Sequence, residues 1–310
     1  MSSPLRVSLI GLGALGILYS DILVRRPDLC TLTIIADKER QARYAKTGVF
    51  CNGTKLELNY LAPEDKPEQP AELMLVAVKG TTLDSAIADI RNHMGPGTIV
   101  VSVLNGITSE EFLEKAYPDA KVLRCVSQGM DALRVDQTMT ATHAGMLYIG
   151  APKGRDDLAE PLKKTLDFLN AAGIKAVGDD DIEHRLYCKW MLNVGVNQCV
   201  TVFEGTYGTV KEEGMQREMC LGAMREAMAI ANAEGVNLTE KDFEEYKRVL
   251  DGLSSDSMPS MRQDALAGRR TEMALFAGTV LEKGRKLGID TPINYWLNDE
   301  LVNIDNRATH

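Results

Sequence analysis

The amino-acid sequence predicts an α/β fold, a doubly wound parallel sheet followed by a mostly α-helical second domain. In the first half, apolar runs rich in β-branched residues alternate with amphipathic stretches, a pattern typical of parallel strands joined by helical crossovers. From about residue 180 onward, helical periodicities dominate and few β-branched runs remain. The length of 310 residues also exceeds the size at which one hydrophobic core stops growing, so we expect two domains.

The first half should contain five buried strands in succession, with helices and one hairpin between them. The hairpin should turn at Asn52-Gly53, because this dipeptide favours the two-residue turn that suits twisted strands. Strand-like pieces at 138–150 and 174–178 flank a further predicted helix at 156–171. The five strands cover 5–11, 31–36, 71–79, 97–103 and 120–126, and the helices between them cover 14–25, 38–48 and 82–94.

The second half should be helical, and the acidic stretch "GDDDIE" at 178–183 marks the boundary before it. Acidic residues there also favour the N-terminus of the next helix. We therefore place the first domain at 1–179 and the second at 180–310. The predicted helices of the second domain cover 182–198, 215–233, 239–250, 260–287 and 292–303.

Composition excludes several classes of protein. A net charge of −9 argues against a general nucleic-acid binder, because nothing broad is available to neutralise phosphates. The six cysteines are scattered and form no C-x-x-C pair. This pattern indicates thiols that pack as small apolar residues in a reducing compartment. The four histidines show no metal-ligand spacing, so we expect no metal. We expect His184 to be a helix-end or surface residue, and a catalytic base is the alternative.

An export signal is the alternative interpretation of residues 7–24. Three glycines and Asp21 interrupt this apolar run, and no small-residue cleavage site follows it cleanly. No other stretch approaches the roughly 18 uncharged apolar residues that a membrane span needs. We expect a cytoplasmic protein without a membrane partner.

The most informative motif lies directly between the first predicted strand and the first predicted helix. Residues Gly11-Leu12-Gly13-Ala14-Leu15-Gly16 match G-x-G-x-x-G. In this setting the first glycine permits the tight turn, the second lets a pyrophosphate approach the backbone, and the third lets the helix pack on the strand. The helix N-terminus then offers N–H groups to phosphates. The motif predicts a Rossmann-type dinucleotide site, and a close-packed turn without ligand is the alternative.

Three further strand ends carry polar residues. Asp37 follows the second strand and lies 21 residues after Gly16, where an acidic residue binds the ribose 2′-hydroxyl and favours NAD. Lys38 and Arg40 are either ligands for the 2′-phosphate of NADP or part of a solvated helix start, so the choice between NAD and NADP stays open. Lys79 and Asn105 follow two later strands, at the edge where ligands of open α/β sheets bind. A turn or a solvated strand end is the alternative for each residue.

A polar stripe follows an otherwise apolar helix in the second half. Lys189, Asn193 and Asn197 recur at i, i+4 and i+8, which places them on one face. Burying such groups unpaired would cost on the order of 2 to 7 kcal/mol each, so the stripe indicates a pocket or a polar network between domains. Ser260, Asp264 and Glu272 lie further on, and by periodicity alone they form an ordinary solvated helix face.

Together these segments resemble the ketopantoate reductase family over nearly the whole chain and in family order. They are "GLGALG", "VAVKG" with Lys79, "LNG" with Asn105, "KWMLNVGVN" with its K-x-x-x-N-x-x-x-N pattern, and "SMRQDALAGRRTE" from Ser260 to Glu272. The last two are specific, whereas the glycine motif alone fits many dehydrogenases.

The resemblance implies that NADPH reduces 2-dehydropantoate to pantoate for coenzyme A synthesis. Lys189 would be the general acid, and Glu272 would bind the substrate hydroxyl and orient Lys189. Asn193, Asn197 and Ser260 would hold the substrate's carboxylate and hydroxyl groups. Lys79 and Asn105 would line the cofactor cleft where it meets the substrate.

The chain departs from the family pattern at two places, and alternatives follow from them. Family members that use NADPH commonly carry arginine where Asp37 falls, so the family implies NADP(H) while Asp37 allows NAD(H). The stretch after Asn197 reads "QCVTVFEG", where a proline and a small residue are commoner. The alternatives are a related reductase of another branched 2-keto acid and a nicotinamide-binding sensor without turnover. The methionine-rich stretch at 215–230 leaves a homodimer open.

Overall fold

The computed structural model describes residues 3–130, 133–135 and 137–308. The chain divides into two compact units, Met1–Ile182 and Glu183–His310. The sequence-based boundary after residue 179 lies close to this division. The separate roles that we assign to the two domains stay a prediction.

The first unit is built on an eight-stranded sheet. Its strands are β1 (Leu5–Ile10), β2 (Cys30–Ile35), β5 (Tyr60–Leu61), β6 (Leu73–Val76), β7 (Ile99–Ser102), β8 (Lys121–Met130), β11 (Ala144–Gly150) and β12 (Ala176–Gly178). They lie in the order β12-β11-β8-β7-β6-β1-β2-β5. Neighbouring strands are parallel except β8 and β11, which are antiparallel. The predicted parallel sheet is confirmed.

Both faces of this sheet are buried, as expected when helices cover the two sides of a parallel sheet. Leu9 and Leu75 belong to one hydrophobic cluster, whereas Ile10, Met74 and Val76 belong to another. Successive side chains of a strand point to opposite faces, so each central strand contributes to both cores. The helices of this unit are α1 (Ala14–Val24), α2 (Lys38–Thr47), α3 (Leu83–Asp89), α4 (Ser109–Ala116) and α5 (Ala159–Ala172).

A second, four-stranded sheet contains the predicted hairpin. Its strands are β3 (Phe50–Cys51), β4 (Thr54–Lys55), β9 (Leu133–Val135) and β10 (Thr138–Thr140), in the order β4-β3-β10-β9. Asn52 and Gly53 have φ angles of 47° and 79°, as a two-residue turn between antiparallel strands requires. The hairpin prediction is confirmed. Helix α4 was not predicted, because its eight residues contribute only one fully buried apolar side chain, Leu113.

The second unit is helical in the part of the chain that the structure describes. Its helices are α6 (Ile182–Val202), α7 (Tyr207–Lys211), α8 (Met215–Ala233), α9 (Glu240–Gly252), α10 (Ser260–Leu266), α11 (Ala277–Leu287) and α12 (Pro292–Ala308). Among the described residues, no helix combines the length and the apolar character needed to cross a membrane.

The prediction of one long helix over 260–287 is wrong. Helix α10 ends early because Gly268 takes a left-handed φ of 64° and the Arg269 N–H bonds back to the Asp264 carbonyl at 2.9 Å. This reversal is a common helix C-terminal motif. The chain resumes a helix only at Ala277, so Glu272 lies in the connection and not on a solvated helix face.

A buried carboxyl group lies at the start of α4. Glu110 is 3% exposed, and its Oε2 accepts a hydrogen bond from Ser109 Oγ at 2.7 Å. Burial raises the pKa of Glu110, although the Ser109 hydrogen bond and the charge of Arg124 oppose the shift. The folded state therefore favours the protonated acid more than the unfolded chain does.

We predict that Glu110→Gln changes the pH dependence of stability. The folded pKa of Glu110 lies above the ordinary 4.5. The carboxyl group therefore stabilises the folded state most below pH 4.5, and this stabilisation is lost as pH rises through the folded pKa. The wild type should therefore lose stability relative to Glu110→Gln as pH rises above 4.5 and through the folded pKa. Urea unfolding across this range measures the difference. The exposed neighbour's variant Glu111→Gln is the control, and a parallel pH response of Glu110→Gln and wild type contradicts the prediction.

Candidate active site

The carboxyl ends of three neighbouring strands lie in register at one edge of the sheet. Ile10 pairs with Val76, and Val76 pairs with Ser102. Lys79 and Asn105 each lie three residues beyond the end of their strand; Lys79 is exposed and Asn105 is half-buried. The structure thus places both residues at the same edge of the sheet as the glycine motif that follows β1, the edge where ligands of open α/β sheets bind.

Two of the three motif glycines are required by the protein's own packing. Gly11 has a φ of 96°, and a Cβ there would lie 2.6 Å from the Ala77 carbonyl oxygen. A Cβ at Gly16 would lie 1.8 Å from the Gly11 carbonyl oxygen. These positions form the tight turn and the close contact of helix with strand, as the motif predicts.

Gly13 is different, because the protein itself leaves room for a side chain. Its φ is −77°, and a Cβ would lie 3.6 Å from the Ala77 carbonyl oxygen, an ordinary van der Waals contact. Gly13 is the N-cap of α1 and provides no side-chain cap, so the first turn leaves backbone N–H groups to bind an anion. The residues Leu12, Ala14 and Leu15 complete this turn. The geometry fits the pyrophosphate of a dinucleotide.

Asp37 and Lys38 lie where the second strand gives way to α2. Asp37 is the N-cap of α2, and its Oδ1 accepts the Arg40 N–H at 2.7 Å. Its Oδ2 is 3.1 Å from Arg40 Nη1, so Arg40 neutralises part of the charge. The Lys38 ammonium pairs with Glu64 at 3.1 Å, and this partner raises the pKa of Lys38. The sequence did not reveal that Asp37 caps the helix.

In the second unit, α6 carries Lys189, Asn193 and Asn197 on one face. Lys189 and Asn193 are half-buried, whereas Asn197 is 7% exposed. The other faces of this helix pack into the core, where Gly195 allows close approach: a Cβ there would lie 2.6 Å from the Cys220 carbonyl oxygen of α8. The polar stripe is therefore held on a rigid, mostly buried helix.

Glu272 is held near α6 by its sequence neighbours. Glu272 is 5% exposed, and the preceding Thr271 donates from its backbone N–H to Asp305 Oδ1 at 2.8 Å. On the other side, Trp190 Nε1 donates to the Leu275 carbonyl oxygen at 2.9 Å. Because Trp190 follows Lys189 directly, the structure brings the segment of Glu272 to the helix that carries Lys189.

Ser260 is linked to the C-terminal end of α6 through its neighbour Arg262. It is exposed at the first residue of α10. Two residues on, Arg262 Nη2 donates to the Glu204 carbonyl oxygen at 3.2 Å, just beyond the C-terminal end of α6. The segment of Ser260 is therefore linked to the end of α6 that carries Asn197. The Trp190 hydrogen bond links the segment of Glu272 to the part of α6 that carries Lys189.

Gln198 is an anchoring residue that sequence reasoning missed. It is fully buried; its Oε1 accepts the Ala277 N–H at 2.9 Å and its Nε2 donates to Asn294 Oδ1 at 3.0 Å. One residue along a helix turns the side chain by about 100°, so Gln198 faces away from the Asn197 stripe. The only sequence signal was an amide where the family commonly has another residue.

Family models match both parts of the chain. Residues 7–154 match the model described as "Ketopantoate reductase PanE/ApbA", and residues 181–302 match its C-terminal counterpart. Among curated relatives, the 2-dehydropantoate 2-reductase of Pyrococcus horikoshii is 23% identical over 295 residues, which is 94% of this chain and 95% of the relative.

Solved structures show the same fold over almost the full length. A PanE/ApbA family ketopantoate reductase from Ralstonia eutropha matches with a TM-score of 0.83 at 22% identity, covering 99% of this chain and 100% of the other. D-mandelate dehydrogenase, solved with NADH and anilino(oxo)acetate, matches with a TM-score of 0.85 at 21% identity and the same coverage. A dimeric ketopantoate reductase from Staphylococcus aureus matches at 0.80 with 18% identity, covering 98% and 100%. With both family models matched in order, this chain belongs to the ketopantoate reductase family.

Proposed function

We propose that this protein reduces 2-dehydropantoate to pantoate with a reduced nicotinamide dinucleotide. The observation that carries the proposal is the face of α6, where Lys189 and two asparagines line up beside the segment of the buried Glu272. The glycine cradle of the first unit supports the cofactor class, since Gly13 leaves room for a ligand that the protein's own packing does not require.

In the proposed reaction Lys189 is the general acid. When bound, the nicotinamide supplies a hydride to the keto carbon. The Lys189 ammonium attracts the developing negative charge on the carbonyl oxygen and then transfers a proton from Nζ to that oxygen. Glu272 holds the substrate hydroxyl and orients Lys189. Its placement in a connection tied down on both sides limits its motion.

The remaining candidate residues would hold the substrate and the cofactor. Asn193, Asn197 and Ser260 would bind the substrate's carboxylate and hydroxyl groups. Lys79 and Asn105 would line the nicotinamide end of the cofactor site. In an acidic protein an anionic substrate needs a locally placed cation, and a lysine on a mostly buried helix provides one.

The same proposal assigns roles to the two domains and to the assembly. The first domain would bind the dinucleotide, and the second would supply the catalytic and substrate-binding residues. A homodimer is proposed because α8 exposes Met215 and because the Staphylococcus aureus relative is described as dimeric.

A cytoplasmic location is supported by the six cysteines, all within the described residues, none of which forms a disulfide.

The direct test measures the oxidation of NADPH and of NADH with 2-dehydropantoate and with a panel of other branched and aromatic 2-keto acids. The proposal expects the highest kcat/KM for 2-dehydropantoate. A higher kcat/KM for another 2-keto acid would show that 2-dehydropantoate is not the preferred substrate, although the proposed type of reaction would stand. Failure of every acid to accelerate oxidation of either cofactor would overturn the proposed reaction.

Lys189→Ala should lower kcat by about 10²-fold or more, because the general acid and its charge are lost. The Kd for the reduced cofactor should stay close to that of the wild type. Lys189→Arg should keep the charge yet remain slow, since a guanidinium donates its proton poorly near neutral pH. Stopped-flow turnover and fluorescence titration measure both quantities. The exposed Lys286→Ala is the control, and wild-type kcat in Lys189→Ala would remove this residue from the mechanism.

Gly13→Ala should weaken cofactor binding without unfolding the protein. The added methyl group meets only an ordinary contact within the protein, so the change in unfolding free energy should be about 1 kcal/mol or less. The cofactor Kd should rise at least about tenfold, because the methyl group occupies the space of the pyrophosphate. Gly16→Ala is the contrast, since its Cβ would collide with the Gly11 carbonyl oxygen and lower the unfolding temperature. Unchanged cofactor affinity in Gly13→Ala would argue for the turn without ligand.

Asp37→Ser should shift the cofactor preference toward NADPH. Serine remains a good N-cap, so the substitution removes the charge while keeping the hydrogen bond to Arg40. It also frees Arg40 from its carboxylate partner for a 2′-phosphate. We expect the NADPH-to-NADH ratio of kcat/KM to rise about tenfold, equivalent to about 1.4 kcal/mol. Steady-state kinetics with both cofactors measure the ratio, and an unchanged ratio would place Asp37 away from the ribose.

A further inference from the structure

Three different metal-ligating side chains meet in the second unit, and the proposed reaction uses none of them. His184 and Cys188 lie one turn apart on α6, and Asp242 lies in the first turn of α9. A ring nitrogen of His184, Sγ of Cys188 and a carboxylate oxygen of Asp242 all lie within 4.8 Å of one another. This cluster joins two helices that are separate in the sequence.

The spacing of the donor atoms suits a small tetrahedral ion. His184 Nε2 is 3.3 Å from Asp242 Oδ1 and 3.9 Å from Cys188 Sγ. Bonds of about 2.0 to 2.3 Å around tetrahedral zinc hold neighbouring ligand atoms about 3.3 to 3.6 Å apart. The imidazole and the carboxylate already stand at that separation. Cys188 Sγ lies 3.9 Å from His184 Nε2 and within 4.8 Å of the carboxylate oxygen, so the thiol would move closer to both groups when an ion binds.

The orientation of Asp242 is set before any ion binds. Asp242 Oδ2 accepts hydrogen bonds from the Thr239 backbone N–H at 2.7 Å and from Thr239 Oγ1 at 2.6 Å. These bonds belong to the capping box that begins α9. They turn Oδ1 toward His184, in the way that outer-shell hydrogen bonds orient the carboxylates of metal sites.

Burial and donor chemistry favour one class of ion. Cys188 is 1% exposed, whereas the side chains of His184 and Asp242 are 33% and 18% exposed, so an ion has an entry from solvent. The Cys188 thiol also contacts the imidazole ring, with Sγ 3.8 Å from Nδ1, so all three donor groups already meet at one point. A set of one nitrogen, one sulfur and one oxygen donor is typical of zinc and unsuited to Mg²⁺ or Ca²⁺.

We propose that His184, Cys188 and Asp242 bind one Zn²⁺, with water in the fourth position. Coordination would release the thiol proton of Cys188 to solvent and would link the first two turns of α6 to the first turn of α9. Because Cys188 directly precedes Lys189, the ion would also restrain the turn of α6 that carries the proposed general acid. The site does not depend on the proposed reaction. This proposal replaces our expectation of no metal. That expectation rested on the spacing of the histidines alone and did not consider a histidine and a cysteine one helical turn apart.

The test uses the full-length protein after removal of metal by a chelator. Zn²⁺ is titrated in competition with a chromogenic indicator, and Co²⁺ serves as a spectroscopic substitute. We expect one Zn²⁺ per chain, and with Co²⁺ a thiolate-to-metal charge-transfer band and the strong visible absorption of a tetrahedral site. Zinc should also raise the unfolding temperature, and the rise should continue as the free zinc concentration increases above the Kd.

Matched variants separate this site from adventitious binding. Cys188→Ser and Asp242→Asn should weaken zinc binding at least about 10²-fold, the upper end of the loss caused by changing even an outer-shell partner. Cys220→Ser, at another fully buried thiol of the same unit, should bind zinc like the wild type. Asparagine can still accept the Thr239 hydrogen bonds, so Asp242→Asn remains informative if Cys188→Ser does not fold. Absence of stoichiometric binding, a Co²⁺ complex without a thiolate band, or equal affinities of Cys188→Ser and Cys220→Ser would each overturn the proposal.

Discussion

Backbone register at the carboxyl edge of the parallel sheet is the constraint on which the nucleotide site depends. Ile10, Val76 and Ser102 are aligned by the pairing of three central strands, so the segments that follow them emerge side by side. The glycine turn after β1 fits only because two of its positions lack a side chain. A Cβ at either Gly11 or Gly16 would meet backbone atoms well inside van der Waals distance, so the shape of the turn is decided by sterics before any ligand arrives.

In the second unit, the corresponding constraint is that polar groups lie on a helix whose residues are mostly buried. Helix α6 buries Trp190 and Gln198, and both side chains form hydrogen bonds to the connection or helix start around residues 275–277. Such bonds offset the desolvation of buried polar groups. They also position the neighbouring stripe of Lys189, Asn193 and Asn197, because residues of one helix keep fixed angular relations.

A half-buried carboxylate and two buried amides extend this support toward the C-terminal helix. The carboxylate of Glu226 accepts the Ile293 and Asn294 backbone N–H groups at 2.8 and 2.9 Å, which caps the start of α12. Asn294 in turn accepts a hydrogen bond from Gln198. Hydrogen bonds thus link α8, α12 and α6 to one another. The zinc site that we propose would strengthen the contact between His184 and Asp242 at the N-terminal end of α6.

The alternation of apolar runs determined the parallel sheet, the Asn52-Gly53 dipeptide determined the hairpin, and the G-x-G-x-x-G motif determined the strand, turn and helix around residues 11–16. These features are local, so their periodicity and turn chemistry carry them. Residue spacing within α6 likewise predicted one polar face. The break after α10 was missed because a glycine within an apparently periodic stretch does not by itself reveal a left-handed turn.

Only the tertiary structure decided which distant residues meet. It tied Thr271 to Asp305, Gln198 to Asn294 and His184 to Asp242, and it gave Asp37 a capping role beside its predicted one. It also separated Gly13, which the protein's own packing does not require, from the two glycines that it does. Sequence patterns report the side-chain period of one element at a time, whereas these contacts depend on how separate elements pack, and packing is decided by the whole chain at once.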